Sequence, residues 1–96
     1  MEIGKLSDFK IAETKTFNKV KKKIDQKLYQ KIIDIVYPQL RKNPFFGSNI
    51  KKLKGEFSQY YGFRLGSYRL FYLVDKEKVI VVIVDLKHRK NLYKNY

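Results

Sequence analysis

Apolar positions along the 96-residue chain change their period as the sequence proceeds, and the changes outline a fold. Asp8 to Phe17 alternates roughly, with Phe9 and Ile11 followed by polar Glu13 and Lys15, which predicts a first strand running into a helix. From Thr16 the period lengthens. Phe17, Val20, Ile24 and Leu28 stand three and four residues apart, with Lys19, Lys21, Lys22 and Lys23 between them, an amphipathic helical pattern. Asp25 is a candidate N-cap dividing this stretch into two helices. The second is predicted from Gln26 to Lys42, with Leu28, Ile32, Ile35, Val36 and Leu40 continuing the stripe. Pro38 should bend that helix or tighten its last turn. Asn43-Pro44 stops it, and Gly47-Ser48-Asn49 reads as loop.

The rest reads as strands. Phe57 to Leu65 is aromatic-rich, and Gly66-Ser67 makes a tight turn. Tyr68 to Val74 alternates Leu70, Tyr72 and Val74 against Arg69, Phe71 and Leu73. Asp75 to Lys78 is a polar turn, and Val79 to Leu86 is a nearly unbroken β-branched run, expected as a central strand buried on both faces. Short connections make these three strands an antiparallel meander. The expected fold is therefore α+β, ordered β-α-α-β-β-β, with two N-terminal helices packed on an antiparallel sheet. A loose lead-in, Met1 to Ser7, precedes it, and a short basic tail or helix, Lys87 to Tyr96, follows. The length suits one domain, residues 1–96, and is too short for two independent cores.

Charge sharpens the reading. Twenty-two Lys and Arg against nine Asp and Glu give a formal net charge of +13, which attracts phosphate backbones and other polyanions at long range. A lysine-rich but otherwise ordinary surface is the plainer account of the same number. Hydrophobic residues at 44% can bury a core, so the chain is no disordered basic arm. With no cysteine, disulfides and thiolate metal sites are excluded. No apolar signal region or membrane-length run occurs, so a cytoplasmic protein without a membrane partner is expected.

The chemistry available is cationic and aromatic. A single histidine, scattered acidic residues and no phosphate-binding glycine loop leave no basis for a metal site or a small-molecule cofactor. Lys51, Lys52 and Lys54 precede the second strand, Arg64 lies on it and Arg69 on the third. Lys87-His88-Arg89-Lys90 follows the last, with Tyr93 and Tyr96 beyond. In a meander, Arg64, Arg69, His88, Arg89 and Tyr93 could converge on one face. That inventory suits RNA cleavage, because RNA carries its own nucleophile, the 2′-hydroxyl. A ribonuclease must align that oxygen, take its proton, hold the charged phosphorane and protonate the leaving 5′-oxygen. Guanidinium groups meet two phosphate oxygens at once, a histidine exchanges protons near neutral pH, and a tyrosine stacks on a base. Each residue also has a structural reading: a solvated Arg69 stacked on Tyr68 or Phe71, a surface His88, a Tyr93 packing a terminal helix, and lysine runs as solvated faces.

The stretches Leu53-Lys54-Gly55, Arg64-Leu65-Gly66-Ser67-Tyr68-Arg69-Leu70-Phe71-Tyr72 and His88-Arg89-Lys90-Asn91-Leu92-Tyr93 resemble the RelE/ParE superfamily of toxin–antitoxin toxins. Its recurring L-K-G step, R-x-G-x-Y-R strand pair and closing H-R-x-x-x-Y stand here in order, and the resemblance covers nearly the whole chain after Phe9. It implies an mRNA interferase of the RelE branch, a metal-independent endoribonuclease that cuts mRNA on the ribosome and leaves a 2′,3′-cyclic phosphate. It also implies an acidic, partly disordered antitoxin as partner. Carried over, Arg69 is the phosphate-stabilising arginine, Arg64 a basic site residue, His88 and Arg89 part of the basic cluster, and Tyr93 the base-stacking tyrosine. Lys51, Lys52, Lys54, Lys87 and Lys90 would contact RNA. RelE carries a lysine where this chain has Gly62, and the glutamate base that some relatives place near Lys51 is absent, leaving His88 as the expected base. Two other readings stay open: the ParE branch, which poisons DNA gyrase on the same fold, and a non-catalytic binding module.

Overall fold

The computed structural model describes residues 8–90. The chain forms strand β1 (Lys10–Glu13) and helix α1 (Lys15–Lys21), then a second helix assembled from α2 (Gln26–Lys31), a π-helical turn (Ile32–Val36) and α3 (Tyr37–Lys42). Strand β2 (Ile50–Lys52), a 3-10 turn (Gly55–Phe57) and strands β3 (Tyr61–Leu65), β4 (Tyr68–Asp75) and β5 (Ile80–His88) follow. The five strands make one sheet in the order β1-β5-β4-β3-β2.

The expected α+β class and the two helices ahead of a three-stranded meander are present. The sheet is mixed rather than wholly antiparallel, because β1 pairs parallel with β5. The long helical connection crosses one face of the sheet and lets the first strand lie beside the last. An unforeseen edge strand, β2, pairs antiparallel with β3; its Ile-Lys-Lys sequence carries little strand signal of its own.

Local chemistry sets the helix ends. Thr14 caps α1, its hydroxyl accepting from the Phe17 N–H at 3.1 Å. Asp25 caps α2 as expected, a carboxylate oxygen accepting from the Lys27 N–H at 3.0 Å. Pro38 explains the π-turn. Its ring collides with the carbonyl four residues back and it offers no N–H, so the ladder widens ahead of it. There Tyr37 donates to the Ile32 carbonyl, a five-residue step. Ile32, Val36 and Leu40 stay on the buried stripe, while Ile35 falls off it and is 45% exposed.

Phe17, Ile32, Val36, Tyr37 and Leu40 from the helices pack against Phe63, Leu70, Tyr72, Val81, Ile83 and Leu86. Helices therefore cover one face of the sheet, and β5 is buried on that face alone: Val82 and Val84 remain partly exposed, contrary to the expectation of burial on both sides. Beside this core Glu13 accepts from Lys21 Nζ at 2.8 Å, Tyr29 OH at 2.9 Å and Tyr37 OH at 2.7 Å. Burial raises the Glu13 pKa, but these hydrogen bonds outweigh it and hold the carboxyl below its ordinary value.

Three boundaries differ from expectation. Residues 57–60, which include Phe57 and Tyr60, are not strand: Gly55, at φ +70°, opens the 3-10 turn and β3 begins only at Tyr61. Val79 sits in the turn with φ +58°, and β5 starts at Ile80. At its far end β5 extends through Lys87 and His88, which therefore belong to the sheet and not to the tail.

Candidate functional site

Strand alternation divides the cationic residues between the two faces of the sheet. Arg64 lies opposite Arg69 on β4, and Arg69 lies opposite Lys87 on β5. All three flank residues of the core face, next to Phe63, Leu70 and Leu86, so they point to the other side. Directly opposed residues have Cβ atoms about 5 Å apart, which makes Arg64, Arg69 and Lys87 one row across three strands. The adjacent row on the same face is Lys51, Gly62, Phe71 and Asp85.

Gly62 shapes the site. A Cβ built there would stand 2.8 Å from Arg69 Cδ, so the aliphatic part of Arg69 lies across the bare backbone of β3. Asp85 is the acid of this second row, its Oδ2 lying 3.8 Å from Lys87 Nζ. Among the described residues neither Arg64 nor Arg69 has an ion-pair partner. Like charges held side by side on adjacent strands repel one another, and a doubly coordinated anion relieves that repulsion.

A β-bulge determines which residues join this face. Phe71 pairs with Asp85 but Tyr72 pairs with Ile83, so Val84 is an extra residue in β5. Beyond it the alternation is inverted: Leu86 is buried, Asp85 and Lys87 turn to the arginine face, and His88 turns to the helix face. The His88 ring meets Tyr68 edge-on at 5.0 Å, and its Nδ1 accepts from the Lys90 N–H at 3.1 Å.

The remaining expected site residues scatter. Arg89 is exposed just past β5, its N–H donating to the Ser67 carbonyl at 2.7 Å where the hairpin turns. Lys90 is exposed beside it, and Tyr93 lies outside the described residues. Lys51 shares the arginine face; Lys52 pairs with Tyr61 on the helix face, its Nζ 5.6 Å from that ring's centroid. Lys54 is exposed ahead of the 3-10 turn. The residue that sequence reasoning passed over is Asp85; only the bulge, which has no sequence signature here, brings it to this face. Among the described residues no three His, Cys, Asp or Glu side chains cluster as metal ligands, and no helix is long and apolar enough to cross a membrane.

Comparison with known proteins agrees with this architecture. A family model described as the ParE toxin of the type II toxin–antitoxin system parDE matches residues 7–93. No curated protein matches the chain. Among solved structures, a chain of the toxin–antitoxin complex RelBE2 from Mycobacterium tuberculosis is similar with TM-score 0.76 and 26% identity over 85% of this chain and 92% of that one. A chain of the RelB–RelE antitoxin–toxin complex from Methanococcus jannaschii aligns with TM-score 0.69 and 27% identity, covering 88% of this chain and 98% of that one. A free-state mutant of the E. coli toxin RelE shares the fold, with TM-score 0.71 at 22% identity over 91% of this chain and 92% of that one. With its helices on one face of a mixed five-stranded sheet and a family match spanning nearly its full length, this chain belongs to the RelE/ParE family of type II toxin–antitoxin toxins.

Proposed function

We propose that this toxin is a metal-independent endoribonuclease that cleaves mRNA on the ribosome, in the cytoplasm, and that a cognate antitoxin holds it inactive. The observation that carries the reading is the row Arg64–Arg69–Lys87, three cations in cross-strand register on the face away from the helices. In this reading the scissile phosphate sits against the arginine row, and Arg69 and Arg64 hold its non-bridging oxygens. The 2′-hydroxyl gives its proton to Asp85, O2′ bonds to phosphorus, the bond from phosphorus to O5′ breaks, and water protonates O5′. The products are a 2′,3′-cyclic phosphate and a free 5′-hydroxyl. Charge on the phosphorane exceeds that on the diester, so two fixed guanidiniums stabilise the transition state more than the substrate. Asp85 takes the base role expected of His88, because it shares the arginine face and His88 does not. Tyr93 retains the base-stacking role that the resemblance implies, and Lys51 adds a phosphate contact.

A second reading, a toxin of the ParE branch that arrests growth through DNA gyrase without cutting RNA, is favoured by the family model that matches and by the position of His88. One experiment separates them: induce the wild type and Arg69→Ala in cells and map a reporter mRNA by primer extension. Cleavage within translated codons that disappears in the variant is expected. Growth arrest with intact mRNA would overturn the ribonuclease reading in favour of the second.

A further inference from the structure

At the opposite end and on the opposite face of the sheet from the arginine row lies an open, apolar concavity of about 650 Å³, lined by Phe9, Phe45, Phe46, Tyr61, Lys52 and Lys76. Its rings are braced against one another: Phe9 meets Phe45 edge-on at 5.8 Å, Phe45 meets Tyr61 edge-on at 5.8 Å, and Tyr61 stacks on buried Tyr72 at 5.5 Å. Phe46 stands at the mouth, 80% exposed. A phenylalanine left in water at the lip of a rigid aromatic wall is a surface awaiting cover. Lys52 Nζ lies 5.6 Å from the Tyr61 centroid and Lys76 Nζ 5.4 Å from that of Phe45. Neither lysine has an ion-pair partner among the described residues.

We propose that this concavity is a docking site for an acidic segment of the antitoxin, which seats one apolar side chain against the four rings and sets carboxylates on Lys52 and Lys76. The inference rests on the family assignment and is independent of whether the toxin cuts RNA. Two features favour a peptide over a nucleic acid. The ammonium groups already stand over two of the ring faces that stacked bases would need. The site also lies on the other face of the sheet from the guanidinium groups that suit phosphate. A rigid apolar wall with a cationic rim fits an anchor residue flanked by acids, the arrangement that concentrates binding energy in few contacts.

The test is calorimetric titration of the full-length toxin with the antitoxin encoded beside it. Phe46→Ala should weaken binding about tenfold, and the double reversal Lys52→Glu with Lys76→Glu about a hundredfold, reducing the salt dependence of the affinity. All three positions are exposed, so melting temperatures should stay near wild type and a loss of affinity reads as a lost contact. Unchanged affinity in both variants overturns the proposal. So does a loss of binding to a single-stranded RNA oligonucleotide with antitoxin affinity retained, which would assign the concavity to nucleic acid.

Discussion

Arg69 lies across Gly62: a Cβ at position 62 would come within 2.8 Å of its Cδ and 3.1 Å of its Cγ. The path of the guanidinium over β3 is therefore set by a missing side chain. In the resemblance, Gly62 marked a departure from RelE, which has lysine there. Here the same position accommodates the arginine that reaches over from β4.

Gly62→Ala should consequently displace Arg69 while leaving the sheet intact, since alanine suits a strand interior better than glycine by roughly 0.5–1 kcal/mol. The expected outcome is a fall in RNA cleavage of about tenfold, equivalent to about 1.4 kcal/mol of transition-state stabilisation, with a melting temperature close to wild type. Cleavage and circular dichroism on the same preparations check it. Full activity in the variant would mean that the course of Arg69 is irrelevant to function.

In the proposed mechanism the proton acceptor is Asp85, which the bulge at Val84 turns to the arginine face. Asp85→Asn keeps the shape but removes the base, and should lower the single-turnover cleavage rate by about a hundredfold. His88→Gln, on the other face, should stay within about threefold of wild type, since general-base loss costs far more. The reverse ranking would return the base to His88.

Much of the fold was legible in the periodicity, and the reasons for the exceptions are physical. The helical stripe from Phe17 to Leu40 and the cap at Asp25 announce themselves because burial on one side leaves a repeating trace. Val84 leaves none. Counting by twos from Val81 and Ile83 would set Leu86 and His88 opposite those two, on the arginine face, whereas the expected convergence of His88 with Arg69 rests only on the end of the last strand lying beside its neighbours in a meander. One inserted residue inverts that parity, and Val84 is β-branched like the five residues before it, bulged or not. Val79 is similar: a β-branched residue at φ +58° contradicts its own propensity, and its carbonyl, accepting from the Lys10 N–H at 3.0 Å, shows that tertiary pairing prevails there. The cations of the site were readable as residue types. Their partition between faces was not.

Glu13 ties β1 to both helices, and its titration should be visible in stability. Hydrogen bonds from Lys21, Tyr37 and Tyr29 outweigh burial and hold its pKa below 4.5 in the folded chain. A depressed pKa means that the carboxylate's contribution is complete above the unfolded value and is lost as pH falls through the folded one. Glu13→Gln should cost about 1–3 kcal/mol near pH 7, and the difference from wild type should narrow below about pH 4.5. Urea titrations at several pH values measure this. A gap independent of pH would show that packing, and not the charge, is what Glu13 provides.

Tyr72 connects the core to the loop that presents Phe45 and Phe46. Its ring is fully buried and its hydroxyl donates to the Pro44 carbonyl at 2.7 Å. Burial raises its pKa, so the phenol stays protonated and remains a donor across the accessible range. Tyr72→Phe preserves the stack on Tyr61 but leaves a buried carbonyl without that donor, at a cost of about 1–3 kcal/mol. For a domain of this size the melting temperature should drop by roughly 4–8 °C for each kcal/mol. Because the hydroxyl holds Pro44 just ahead of Phe45, loosening it should also weaken antitoxin binding while leaving Arg69, on the other face, undisturbed. A variant with wild-type melting and reduced antitoxin affinity would confine the bond to shaping the loop. Reduced melting with unchanged affinity would confine it to the core and separate the aromatic concavity from the residue on which it is built.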